Sequence, residues 1–191
     1  MGGIPTVTSN TFDEFCRAAV DFLAKEDVPY LIVGGLAVAV IGAPRFTADI
    51  DVVAFVTMAS AERLIAAATA AGFLAGEDEV DRLRSTGTLR FLRGGFHLDV
   101  IVASLPFEER ARHRAVIVRM FNRDVPLPTP EDLLLFKIIS GREKDVLDAV
   151  GIAHRHGGQL DWPYVTAGVD EICDLADQSG PRQTLARVRR E

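Results

Sequence analysis

Hydrophobic positions along the first two thirds of the chain switch repeatedly between a helical period and a strand period. Phe12, Phe15, Cys16, Ala19, Phe22 and Leu23 recur at helical spacing and predict an amphipathic helix over residues 11–26, closed by Pro29. Residues 30–33 form a short apolar run between that proline and Gly34-Gly35, the pattern of a buried strand. Residues 36–41 predict a short helix ended by Gly42 and Pro44, residues 49–56 a second strand, and residues 60–71, alanine-rich and followed by Gly72, another helix. Residues 89–92 and 96–102 flank Arg93-Gly94-Gly95 and predict a hairpin, with Leu98 and Val100 on one face of its second arm and His97, Asp99 and Ile101 on the other. Residues 116–121 and 125–127, joined by Asn122-Arg123-Asp124, predict a further strand pair near the end of the same sheet.

From Thr129 onward the pattern is helical. Thr129-Pro130-Glu131-Asp132 supplies an N-cap, a proline at the first helical position and two acids that suit the helix dipole. This is the one plausible internal boundary, separating a core of residues 1–128 from a helical segment, 129–191, that packs on the cleft. Residues 177–191, polar and rich in arginine, read either as a loosely held last helix or as a frayed tail. The fold class is α+β, a mixed central sheet flanked by helices, and neither an internal repeat nor a low-complexity tract interrupts it.

With 191 residues, 48% of them hydrophobic, the chain can bury a real core. It has no run long enough for a membrane span and no basic-then-apolar leader at its N-terminus, so a cytoplasmic protein without membrane contact is expected. Cys16 and Cys173 lack metal-type spacing and read as buried thiols. The net charge of −6 argues against a generally basic nucleic-acid binder. It is uneven, however: residues 81–123 hold nine arginines against Asp81, Asp99, Glu108 and Glu109, a local excess of about +5 that reads either as a phosphate-facing surface or as scattered solvated arginines.

The chemistry concentrates between residues 33 and 52. Successive side chains of a strand point to opposite faces, so Asp49 and Asp51 share one face while Ile50 and Val52 fill the other. Two neighbouring carboxylates in an apolar strand repel each other and resist desolvation unless a divalent cation lies between them. Asp99 repeats the anomaly in His-Leu-Asp-Val-Ile-Val. If its strand pairs beside residues 49–56, three acids converge on an oxygen-ligand site suited to one or two Mg²⁺ ions; alone, Asp99 reads as a hairpin-end acid. Gly34-Gly35 by itself is a turn, but before a helix it offers backbone N–H groups to a phosphate.

Gly34-Gly35, a spacer with Arg45 and Thr47, then Asp49-x-Asp51 and a later strand Asp99 resemble the nucleotidyltransferase fold of the DNA polymerase β superfamily, over about residues 28–150. Within it the chain is most similar to the AbiEii-type and MenT-like nucleotidyltransferases of prokaryotic toxin–antitoxin systems. The resemblance implies that Gly34 and Gly35 hold the phosphates of an NTP, that Asp49 and Asp51 bind Mg²⁺, and that Asp99 acts as base or metal ligand, so that all three acids are catalytic and metal candidates. Many members have Gly-Ser where this chain has Gly34-Gly35.

Lys137 lies in an apolar stretch, Leu133-Leu134-Leu135-Phe136-Lys137-Ile138-Ile139, where it must snorkel or face a cleft; the resemblance implies a cleft-facing, nucleotide-binding lysine. Arg45 and Thr47 stand at the mouth, as nucleotide contacts or solvated loop residues. Arg142, Lys144, Asp145 and Asp148 read as a salt-bridged helix surface, and His154 and His156 as surface residues. The activity implied is NMP transfer from an NTP to a hydroxyl, with tRNA as acceptor, a toxin role and an antitoxin partner at the front. An antibiotic nucleotidyltransferase acting on an aminoglycoside or lincosamide, and a catalytically silent binding module of the same fold, are the alternatives.

Overall fold

The structure, a computed structural model, describes residues 11–43 and 45–191. The expectations placed on the N-terminal ten residues and on Pro44 lie outside the described residues. In chain order the elements are α1 (Phe12–Lys25), β1 (Tyr30–Val33), α2 (Gly34–Ile41), β2 (Asp49–Ala54), α3 (Met58–Ala70), β3 (Leu74–Ala75), α4 (Glu79–Thr86), β4 (Thr88–Arg93), β5 (Phe96–Val102), α5 (Pro106–His113), β6 (Val116–Met120), β7 (Arg123–Leu127), α6 (Pro130–Ser140), α7 (Glu143–His156), α8 (Trp162–Ala176) and α9 (Gly180–Val188).

Five strands form one mixed sheet in the order β1-β2-β5-β4-β3, with β2 and β5 parallel and the other neighbours antiparallel. Strand alternation sorts the residues as the sequence predicts. Ile32, Ile50, Val52, Leu98, Val100, Leu89 and Phe91 enter the main core, where Phe15 and Phe22 of α1 pack against Phe73 and Phe91. On the opposite face Leu31, Val33 and Val53 pack with Ala111 of α5 in a smaller cluster that also takes in Ile101 and Phe136. That cluster covers only part of its face. The rest of it, carrying Asp49, Asp51 and Asp99, is the floor of a cleft.

The helices after Thr129 share the main core. Thr129 caps α6, its hydroxyl accepting from the Asp132 amide at 3.3 Å, and Leu133, Leu134, Leu135 and Ile138 are all buried. Gly168 lets α8 approach so closely that a Cβ there would lie 2.8 Å from a Leu135 methyl. Cys16 and Cys173 are buried free thiols.

Two expectations are corrected, and two helices are added. The β6–β7 ribbon is a separate two-stranded sheet beside β1 rather than an end of the main one. Pro126 removes a backbone donor from β7, which restricts how that strand can extend a ladder. The last residues neither fray nor hang loosely: α9 buries Pro181, Leu185 and Val188, and Arg187 ties it to Glu143 with contacts of 2.7 and 2.9 Å. Residues 79–86 and 106–113, which have no assignment in the sequence reading, are helices. Each is eight residues long and buries few apolar side chains (Leu83; Phe107 and Ala111), too few to establish a period. No helix among the described residues is long and apolar enough to cross a membrane.

Candidate functional site

The cleft has a cavity of about 310 Å³ lined by Gly34, Gly35, Arg45, Thr47, Asp49, Asp51, Asp99 and Lys137, every candidate residue of the sequence reading. One wall is the sheet. Parallel pairing sets Asp51 beside Asp99 and Asp49 beside His97, so the three carboxylates lie on one face as strand alternation requires. His97 Nδ1 is 3.2 Å from Asp49 Oδ1, and both side chains are partly open to solvent.

Asp51 is the strained member. Burial raises its pKa above the usual carboxylate value, and the charges of Asp99 and Asp49 push the same way against Lys137 and a Gly35 backbone hydrogen bond. The reason for Gly34-Gly35 is now visible. Gly34 has φ +63°, and a Cβ on it would lie 1.8 Å from Asp51 Oδ2. A Cβ on Gly35 would lie 2.8 Å from Thr47 Oγ1 and 3.2 Å from Arg45 Nη1. The glycines are the first two residues of α2, not a turn before it, and neither they nor the N-cap Val33 provides a side-chain cap. The first turn of α2 therefore opens toward the carboxylates, with Asp51 bonded to the Gly35 amide and no side chain from Val33 or the glycines capping it.

Thr47 is engaged locally: its hydroxyl donates to the Asp49 carbonyl at 3.2 Å and accepts from the Asp49 amide at 3.4 Å, fixing the entry of β2.

The facing wall comes from α6 and α7. Lys137 is 4% exposed, yet it neither snorkels nor stands alone: its Nζ donates to Asp145 at 2.7 Å and lies 3.0 Å from Asp148. Arg45 forks onto Asp148 at 2.9 and 3.1 Å, while Ser140 and Arg142 donate to the second Asp145 oxygen at 2.7 and 2.5 Å. Burial alone would raise Asp145, but hydrogen bonds from Lys137 and Ser140 and the Lys137 charge hold it at about 2. Asp145 and Asp148 are thus buried partners of the lysine rather than parts of a salt-bridged surface. An apolar run does not reveal that a lysine has such partners. The eight- and eleven-residue offsets from Lys137 to them, across a helix end at Gly141, carry no local periodicity.

Asp99 is also paired. Arg90, opposite it in β4, takes both its oxygens, Nε to Oδ1 at 2.7 Å and Nη2 to Oδ2 at 2.6 Å. Among the described residues no three of His, Cys, Asp and Glu stand together as a metal-ion cluster. Arg90 and Glu108, both lining the cleft, were not singled out in the sequence. Arg90 was legible: a two-residue Gly94-Gly95 turn places residue 90 across from residue 99.

The nine arginines of residues 82–123 form no free basic surface. Arg84 pairs with Glu62, Arg110 with Glu171, Arg114 with Asp132 and Arg123 with Asp21, all acids outside the segment. Arg82, Arg90, Arg112 and Arg119 pair with Glu79, Asp99, Glu109 and Asp124, and Arg93 donates to the Ala71 carbonyl. His154 and His156 lie away from the cleft, bonded to the Glu191 and Ile41 carbonyls.

With this geometry in place, the comparisons with known proteins give the family. The profile of the family described as nucleotidyltransferase of unknown function (DUF6036) matches residues 14–187. The chain belongs to that nucleotidyltransferase family. A search of curated protein sequences gives no match. Solved structures share the fold. The chain is similar to ANT(2″)-Ia in complex with adenylyl-2″-tobramycin, at 15% identity and a TM-score of 0.56 over 82% of this chain and 93% of that one. It is similar to an antigenic nucleotidyltransferase-like protein from Paracoccidioides brasiliensis at 16% identity and TM-score 0.52, covering 91% and 93% of the two chains. Lincomycin-bound LnuA, a lincosamide antibiotic adenylyltransferase, gives 16% identity and TM-score 0.50 over 73% and 94%. The enzyme is a nucleotidyltransferase by family; likeness to the AbiEii-type and MenT-like toxins is not among these matches.

Proposed function

We propose that this nucleotidyltransferase moves a nucleoside monophosphate from an NTP to a hydroxyl acceptor with release of pyrophosphate. The observation that carries the reading is the packing of Asp51 directly on Gly34, which sets a half-buried, electrostatically unfavourable carboxylate against a helix N-terminus whose N-cap residue supplies no side-chain cap. The two features want opposite ligands, a cation and a phosphate, and a metal–triphosphate complex satisfies both.

The donor set fits Mg²⁺. Asp49 and Asp51 offer hard oxygen ligands on one strand face, and Mg²⁺ is commonly held by one or two carboxylates together with substrate phosphates. Bound there, the ion would supply charge neutralisation for the triphosphate and for the departing pyrophosphate. The α2 amides would donate to oxygens of the phosphate chain. Lys137 has three ammonium donors, two of them directed at Asp145 and Asp148, which leaves one for a phosphate oxygen while the acids fix the side chain in place.

For the acceptor, a small hydroxyl-bearing molecule is favoured over tRNA, because eight of the nine arginines of residues 82–123 are paired with acids and give RNA no continuous basic track. Neighbours of the same fold that hold adenylyl-tobramycin and lincomycin give such acceptors a precedent.

The test is to incubate the purified protein with each α-labelled NTP and Mg²⁺, offering total RNA in one set and the small-molecule fraction of a cell extract in another. Label should enter a small molecule, and EDTA should abolish it. Label in RNA alone would reverse the choice of acceptor. Absence of transfer from every NTP to either set would remove the transferase reading of this cleft.

A further inference from the structure

Arg90 stands in the cleft with one side of its guanidinium committed. Its backbone is fixed as firmly as its side chain. β3 pairs only with Phe91 and Leu92, so the Arg90 amide lies beyond its end, and buried Glu79 accepts from that amide at 2.5 Å. The fork onto Asp99 uses Nε and Nη2, and the side chain, which lines the cleft, remains 44% exposed against 12% for Asp99. A carboxylate held in this way contributes little net negative charge to a cation, because a divalent ion bound there would stand beside a guanidinium. Asp51, by contrast, is half-buried and has no comparable ion-pair partner among the described residues.

We propose that Arg90 divides the three acids between two tasks: Asp49 and Asp51 alone take the divalent cation, while Asp99 anchors Arg90 so that its remaining N–H groups contact the triphosphate. This rests on the transferase reading above and removes Asp99 from the proton-acceptor and metal-ligand roles implied by family resemblance. A planar guanidinium keeps donors for phosphate after binding a carboxylate through one edge, so the pair functions as a positioned phosphate clamp.

The experiment uses the charge-neutral double variant Arg90→Gln/Asp99→Asn, which removes the pair without changing the net charge of the cleft. Mn²⁺ binding to the nucleotide-free protein is titrated by the EPR signal of free Mn²⁺, and binding of inorganic tripolyphosphate is measured by calorimetry in EDTA. The double variant should hold Mn²⁺ within about threefold of wild type and bind tripolyphosphate about tenfold more weakly, whereas Asp51→Asn should lose Mn²⁺ at least tenfold. Arg90→Lys, which retains the charge and loses the fork, should also weaken tripolyphosphate severalfold with Mn²⁺ unchanged, and it serves if the double variant does not fold. A double variant that loses Mn²⁺ as Asp51→Asn does makes Asp99 a ligand and overturns the proposal. Tripolyphosphate binding equal to wild type in both variants overturns it as well. If wild type binds neither probe, the transferase reading itself fails.

Discussion

The two walls of the cleft each hold a carboxylate, Asp51 on the sheet and Asp145 on α7, in opposite energetic states. On the α6–α7 wall Lys137, Asp145, Asp148, Arg45 and Arg142 satisfy one another at 2.5 to 3.1 Å, and Asp145 is stabilised to a pKa of about 2. On the sheet wall Asp51 is half-buried with its pKa raised by desolvation, and its acidic neighbours worsen its position. A self-compensated network is what a fold builds to hold a surface in place. A carboxylate left under-compensated in this way points to something outside the chain that completes it, so the difference separates the wall that positions from the wall that binds. Single substitutions should therefore have opposite signatures on the two sides.

The largest expected effect is on transfer. Asp51→Asn should lower it by about a thousandfold, because losing a charge-stabilising metal contact costs several kcal/mol and each 1.4 kcal/mol is a factor of ten. The same substitution should leave the metal-free protein as stable as wild type or more so. The pH dependence shows why. A carboxyl whose folded pKa is raised binds more protons folded than unfolded, so its penalty is absent below the ordinary value of 3.8 and grows as pH rises through the folded value. Thermal melts of both proteins in EDTA from pH 4 to 8 check this. A variant that melts well below wild type at pH 8 would mark Asp51 as a structural partner instead.

Next in size is the opposite wall. Asp145→Ala leaves Lys137 buried with half of its compensation and should cost about 3–5 kcal/mol in stability by urea unfolding, whether or not metal is present. Linkage has the reverse sign here: the folded pKa of about 2 lies below 3.8, so the contribution of Asp145 is complete above that ordinary value and disappears as pH falls toward 2. Asp145→Asn should therefore differ from wild type most at neutral pH and least in acid. Should Asp145→Ala unfold like wild type while losing nucleotide, the two walls would not differ in the way proposed.

Much of this contrast was legible in the residues. Alternation along β2 and β5 placed Asp49, Asp51 and Asp99 on one face, and the glycine pair beside them was visible as a candidate phosphate loop. What the sequence concealed was compensation. Whether Lys137 snorkels or meets carboxylates depends on where α7 turns after Gly141, and whether nine arginines make a basic surface depends on acids such as Asp21, Glu62 and Glu171 that are distant in sequence. Charge excess is local in a chain and pairwise in a fold. The short helices α4 and α5 were missed for a related reason: their hold on the core comes from one or two side chains, not a repeated face.

A smaller effect is expected at the seam between the walls. Gly34→Ala forces a Cβ into the place of Asp51 Oδ2 at a residue with φ +63°. The backbone strain costs about 1–2 kcal/mol, and the carboxylate must also rotate away. Because that rotation would carry Asp51 from the α2 amides, Mn²⁺ and tripolyphosphate binding should fall together, whereas a change confined to one wall would affect one of them. Calorimetric titration with each probe distinguishes the cases.

The smallest effect is the one that decides the acceptor. Arg119→Ala and Arg123→Ala each break an exposed pair, with Asp124 and Asp21 respectively, and exposed ion pairs contribute about 0–1 kcal/mol, so melting should scarcely move. If the acceptor is a small molecule, transfer and its salt dependence should be unchanged in the double variant, since these arginines lie outside the cleft lining. If RNA is the acceptor and these residues contact phosphates, each lost contact should reduce the slope of log affinity against log salt by about 0.7 to 0.9, at almost constant stability. A flattened slope would show that paired arginines can exchange their carboxylate partners for phosphates, and the binding surface would then extend beyond the cleft onto the β6–β7 ribbon.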